Sequence, residues 1–216
     1  MVQKQKQSIA DVISARRTQK VMAKDAPVEI PHADIQQSNS LVMRSIEVAG
    51  LAPFHYDRKY RGVAEPWRFH VIWNRRCREL AIELPEWFSD VRPGNKLAAM
   101  LNACGALVLV NWLPQFDVEE TEEKKQQINE EHLAATATAV QNLLLMLTDA
   151  GLGNYWSSGG FFRTDLMFEK LGIDRSEKLL GAIFVDYGAP EAEVDVVDGK
   201  QHANRSDYLK WTSVIE

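Results

Sequence analysis

The chain has 216 residues, 45% of them hydrophobic and 25% charged, with a formal net charge of -5 at neutral pH. That length suits one domain over residues 1–216, burying roughly 70% of the surface its unfolded form exposes. The mild acidity excludes general nucleic-acid affinity, which needs a basic face against phosphates, and no apolar run approaches the roughly 20 residues of a membrane helix.

Met1 to Ser8 is polar and Gln/Lys-rich. It lacks the apolar centre of a signal peptide, so the cytoplasm is the expected location. Ile9, Val12, Ile13 and Arg16 follow helical spacing, which predicts a first helix over Ser8–Arg17. Pro27 and Pro31 interrupt the next stretch, and Pro31 opens a second helix running to about Leu51, with Val42, Ile46 and Ala49 on one face. From Trp67 to Trp73 the pattern alternates: Trp67, Phe69, Val71 and Trp73 share one face of a strand, and Arg68, His70 and Ile72 the other.

Leu97–Ala103 reads as a short helix, and the apolar run Ala106–Trp112 as a buried strand. Asp117, with Glu120 three residues on, marks the start of a long helix that holds Leu133, Ala137, Val140, Leu144 and Leu147 at 3–4 spacing and ends at Ala150 under a Gly151 cap. From Ala134 to Leu147 it is apolar nearly all round, which suits either a large core or a subunit interface. A short strand over Asn154–Ser157, a helix over Thr164–Leu171 closed by Gly172, and an apolar strand over Leu179–Tyr187 come next. The tail from Val194 is polar, with aromatic anchors at Tyr208 and Trp211. Helices and strands mix without strict βαβ alternation, so the fold class is α+β.

Generic motifs carry little. Gly151-Leu152-Gly153 follows a helix, whereas a dinucleotide fingerprint follows a strand. Ser157-Ser158-Gly159 lacks the upstream glycine of a nucleophile elbow. Glu130-Glu131-His132 has no second histidine at zinc-motif spacing, and the scattered histidines with only Cys77 and Cys104 suggest neither a metal site nor a disulfide framework.

Four segments are informative together. They are Arg16-Arg17-Thr18-Gln19-Lys20 after the first helix; Ala52-Pro53-Phe54-His55 with Glu65-Pro66-Trp67 entering a strand; the long helix carrying Gln141-Asn142, its Gly151-Leu152-Gly153 turn and Trp156-Ser157-Ser158-Gly159-Gly160; and Gly188-Ala189-Pro190 with Asn204-Arg205. In this order they resemble the nitroreductase family of flavoproteins over about Ser8–Arg205, and its smaller members most. Thr18 stands where the family has Ser, Glu65 where it has Gln before Pro-Trp, and Tyr56–Ala64 is longer than usual and charged.

The resemblance implies a central, mostly antiparallel sheet flanked by helices, in a homodimer whose two FMN sites lie at the subunit interface. It implies Arg16, Arg17, Thr18, Lys20 and Arg205 on the phosphate and ribityl side, although a cationic pair at a helix end by itself also fits a helix-dipole role. Pro53, Phe54 and His55 would reach the ring from the other subunit. Gln141, Trp156, Ser157, Ser158 and Gly159 would complete the site, Trp156 alternatively being a core aromatic. NAD(P)H would pass a hydride to the flavin N5, and a small acceptor such as a nitroaromatic or quinone would then take two electrons, so no side chain need act as acid or base. The alternatives are a flavin-binding or sensing protein with little turnover, and a dimeric interaction module without cofactor.

Overall fold

The computed structural model describes residues 8–92 and 94–215. The expectation for Met1–Ser8 lies, Ser8 apart, outside them. Helix α1 (Ile9–Ala15) is set by a capping box: the Ser8 hydroxyl accepts from the Asp11 N–H at 3.2 Å, and the Asp11 carboxylate accepts from the Ser8 N–H at 3.1 Å. It ends two residues before the spacing predicts, because Arg16 turns into extended backbone. Helix α2 (His32–Ala49) runs as expected from Pro31, with Val42 and Ala49 buried.

Four strands form an antiparallel sheet in the order β2-β3-β5-β4: β2 (Trp67–Trp73), β3 (Ala106–Trp112), β5 (Lys178–Asp186) and β4 (Gly153–Ser157). Because side chains alternate along a strand, β3 feeds two cores. Leu107 and Leu109 pack with Leu80, Leu101 and Met167 on one face, and Ala106, Val108 and Val110 with Val42, Val140 and Leu147 on the other. The sheet is thus a middle layer between α2 with α5 (Glu122–Asp149) on one side and α3 (Asn74–Trp87), α4 (Lys96–Ala103) and α6 (Asp165–Leu171) on the other. This is the α+β arrangement, helices flanking an antiparallel sheet, that the sequence predicts.

Three features differ. Helix α5 starts at Glu122, not at Asp117 or Glu120, because the Thr121 hydroxyl accepts from the Lys124 N–H and fixes the first turn there. Its end is as expected: Gly151 takes φ +79 and the Leu152 N–H returns to the Leu147 carbonyl. Helix α3 was not anticipated, although Cys77, Leu80, Ala81 and Leu84 make a buried stripe. A separate ribbon pairs β1 (Gln19–Ala23) with β6 (Val194–Asp198), the first in a segment assigned no element from sequence and the second in the polar tail.

The tail aromatics do not anchor to their own chain. Tyr208 and Trp211 are 61% and 73% exposed and face each other edge-on at 6.4 Å. On α5 only part of the surface is covered: Val140, Leu143 and Leu147 are buried, while Leu133, Ala134, Thr138 and Gln141 face outward. Cys77 and Cys104 are both free and buried.

Candidate functional site

The end of α1, the start of β1, the middle of α5, β4 and the tail meet around a cavity of about 270 Å³ lined by Ile13, Arg16, Thr18, Gln141, Leu144, Trp156 and Arg205. The ribbon makes this meeting possible. Its register pairs Gln19 with Asp198, and the Gly199 N–H then donates to the Thr18 carbonyl at 2.9 Å. Gly199 lies so close to Thr18 that a Cβ on it would stand 2.8 Å from the threonine Cβ. The tail therefore leaves β6 directly beside Thr18, and a short 3-10 turn over Lys200–His202 carries it on to Arg205.

Trp156 is placed by a second glycine. A Cβ on Gly181 of β5 would fall 2.0 Å from the indole Nε1. Glycine inside a strand often marks a close approach, and here it lets the indole lie across β5 on the side of α5, where Leu144 also lines the cavity.

The cavity has no carboxylate in its lining. Among the described residues Arg16, Arg17 and Arg205 have no acidic partner within ion-pair distance. Partial burial, and then the positive charges of Arg205 and Arg17, hold the Arg16 guanidinium below an arginine's ordinary pKa. The same cluster, Arg17 foremost, lowers His202. Like charges gathered without a counter-charge are unfavourable by themselves and are relieved by an anion.

The other basic residues of this region are engaged elsewhere. Arg17 closes the last turn of α1, donating to the Ser14 carbonyl and, at 3.0 Å, to that of Arg16. Its side lines a separate hollow of about 220 Å³ under the Gly151–Asn154 turn. Lys20 lies over the Tyr155 ring, its Nζ 4.8 Å from the centroid.

Ser157, Ser158 and Gly159 form the exit from β4. Gly159 takes φ +106, a conformation other residues avoid, and the Leu179 side chain occupies the space a Cβ would need. Its N–H reaches the Ser157 hydroxyl at 3.3 Å. Arg163 braces the turn, donating to the Ser158 carbonyl at 2.5 Å and the Leu180 carbonyl at 3.0 Å.

Pro53, Phe54 and His55 do not join the cavity within one chain. Ala52 packs on Ala135 and Ala139 of α5, Phe54 meets Trp67 edge-on at 5.6 Å, and Pro53 and His55 are exposed. The charged loop after them is pinned at both ends. His132, buried in α5, faces the Tyr56 carbonyl at 3.1 Å, and Tyr60 and Arg61 bond to Asp174 at 2.8 and 2.6 Å. Burial lowers the His132 pKa, favouring the neutral ring.

Sequence reading missed Ile13, Leu144, His202, Gly181 and Gly199 as parts of this site. The signals for the glycines were their positions, one inside an apolar strand and one after an alternating Val-Asp-Val run.

A sheet between helical layers, with an acid-free arginine cluster at the strand–helix junction, defines an α+β protein with a cationic cavity. The sequence profile described as "Nitroreductase family" matches residues 13–188. The chain belongs to the Nitroreductase family, whose members are oxidoreductases. A Bacillus subtilis (strain 168) protein named "Putative NAD(P)H nitroreductase YfhC" is 25% identical over 191 residues, covering 86% of this chain and 87% of that protein. Two solved structures share the fold. The Nitroreductase-like Family Protein from Bacillus cereus has a TM-score of 0.68 at 24% identity over 100% of both chains. A Nitroreductase with Bound FMN from Bacteroides fragilis NCTC 9343 has a TM-score of 0.58 at 17% identity, over 98% of this chain and 100% of that one.

Proposed function

We propose that the chain is one FMN-binding domain and works as an NAD(P)H-dependent oxidoreductase that reduces a small organic acceptor such as a nitroaromatic or quinone. The observation that carries this reading is the pairing of Arg16 with Arg205 in a cavity free of carboxylates and walled by Trp156. A flavin phosphate carries nearly two negative charges, and its burial requires cations and donors. Arg16 and Arg205 supply the charge, Thr18 a hydroxyl, Gln141 an amide, and Trp156 a flat apolar face. The residues present fit the group. Arg17 and Lys20 support it from the margin, one by closing α1 and the other by fixing β1 on β4. Bound there, FMN would supply two-electron transfer at its ring, the protein adding binding, orientation and electrostatics. Ser157–Gly159, the exit from β4 next to Trp156, would flank it, the turn being held by Arg163 and Leu179.

The active unit in this reading is a C2 homodimer in the cytoplasm. Pro53, Phe54 and His55 serve the cavity of the other copy, which explains why they lie apart from Arg16 in one chain. The outward face of α5, Leu51 at 80% exposure and the tail around Trp211 supply apolar surface for such an interface. No helix among the described residues is long and apolar enough to cross a membrane.

The test is an absorbance spectrum of the purified protein, before and after anaerobic NADPH or NADH. Flavin bands that bleach are the expected result. Bands that persist with both donors favour a flavin-binding or sensing role, and no bands after incubation with FMN overturn the proposal.

A further inference from the structure

We infer that the hollow at the end of the sheet beside the Ser157–Gly159 turn is a subsite for a small aromatic anion, such as an aromatic carboxylate. The inference rests on the reductase reading above and narrows its acceptor class. The hollow measures about 350 Å³, at the small end of the roughly 300–1,000 Å³ of ligand sites. Trp112, Phe116 and Phe168 give it aromatic walls, and Arg163, Arg175 and Lys178 stand at its rim.

The charges do not cancel. Glu177 lines the hollow but is buried and engaged, accepting from Asn111 Nδ2 at 2.8 Å and facing His70 Nε2 at 2.6 Å. Arg175 is paired with Glu169 at 3.2 Å. Arg163 spends its bonds on two neutral carbonyls, which fix the guanidinium without matching its charge. Lys178 has no carboxylate within ion-pair distance among the described residues. The lining thus holds Arg163, Arg175 and Lys178 against Asp165 and Glu177, a positive excess of a single charge, which suits a monoanion better than a phosphate dianion.

The aromatic part follows from the register. Lys178 of β5 and Trp112 of β3 are direct cross-strand partners, so an indole and an ammonium flank the same opening. Phe116 is 68% exposed there, a large apolar face with no cover from its own chain. The hollow also shares its walls with the flavin-side turn. Leu179, which lines it, fills the space beside Gly159, and Arg163 holds the Ser158 carbonyl. A ligand resting on Arg163 and Lys178 would abut that turn.

The test is calorimetric titration of the full-length protein, without NAD(P)H, with 4-nitrobenzoate, 4-nitrobenzyl alcohol and 4-nitrobenzylamine. The acid is expected to bind about tenfold tighter than the alcohol, and the amine weakest, a preference that shrinks with salt. Lys178→Gln should erase the preference, and Phe116→Ala should weaken acid and alcohol alike by a few fold. Both side chains are exposed, so neither change threatens folding. Equal binding of acid and alcohol, or a preference that survives both Lys178→Gln and Arg163→Gln, overturns the subsite. A protein that shows no flavin bands after incubation with FMN, yet keeps the Lys178-dependent preference, would sink the reductase reading and leave the anion site standing. A flavin that NAD(P)H bleaches, with no such preference, would sink the subsite alone.

Discussion

Gly181→Ala tests how the cavity wall is made. The added methyl would sit 2.0 Å from the Trp156 Nε1, 2.6 Å from its Cδ1 and 3.1 Å from the Ser157 carbonyl oxygen. The indole is a rigid plane and the third neighbour is backbone, so the clash is relieved only by turning Trp156 off β5 or by moving β4. Overpacking of this kind costs about 1–3 kcal/mol. Ala offers a strand somewhat more than Gly does, which offsets only a fraction of it. For a chain of this length each kcal/mol shifts the midpoint by roughly 2–4 °C, so the apo protein should melt about 2–10 °C lower. Because Trp156 also walls the cavity, FMN affinity should fall with it. Thermal unfolding of the apo form and FMN titration by flavin fluorescence read the two effects separately. An unchanged midpoint together with an unchanged FMN dissociation constant would refute the reasoning, since it would mean that the indole does not depend on Gly181.

Arg16→Gln and Arg205→Gln should each weaken FMN binding roughly ten- to 150-fold, the worth of a charge-assisted hydrogen bond at about 1.5–3 kcal/mol. Arg17→Gln, whose guanidinium serves helix carbonyls, should change it by less than about threefold, and a loss as large as that of Arg205→Gln would reverse the assignment. The Asp174 carboxylate is held at about 2, below its ordinary 3.8, first by the Ser176 N–H and with help from Tyr60 and Arg61. Its contribution is therefore complete above about pH 4 and is lost as the pH falls towards 2. The group is accessible, so the effect stays under about 1 kcal/mol; urea midpoints between pH 5 and 2.5 should fall more steeply for the parent than for Asp174→Asn, and parallel curves would exclude the anchor. Leu51→Glu should shift sedimentation towards monomer at micromolar concentration, and an unaltered profile would place the interface elsewhere.

Much of the fold was legible because period and burial agree. The β3 run from Ala106 to Trp112 is apolar on both faces since two cores meet it, α2 shows its buried stripe after Pro31, and α6 shows its Thr164 and Gly172 caps directly. The start of α5 was misplaced because Asp117 and Glu120 mimic a capping pair, whereas the Thr121 hydroxyl holds the first turn. The ribbon was illegible for a different reason. Every residue of β1 is half-buried, and β6 buries only Val194, so neither shows the alternation that a covered sheet imposes. Their pairing is a long-range fact with a weak local trace.

That same pairing decides which part of the site could be read. Arg16 and Thr18 were visible as a cluster in sequence, and Arg205 only through family resemblance, because nothing near Arg205 reports that β6 delivers it to the end of α1. Once the ribbon is in place, the roles of neighbouring cations separate by a residue or two. Arg16 leaves α1 in extended backbone and enters the cavity, while Arg17 turns back onto the helix carbonyls. Lys20, one strand residue further, points at Tyr155 on β4. Three like charges within five consecutive residues thus divide into cavity lining, helix closure and strand docking. Backbone direction sorts them, and the resulting prediction is sharp: charge removal at Arg16 should act on FMN, and at Arg17 on α1.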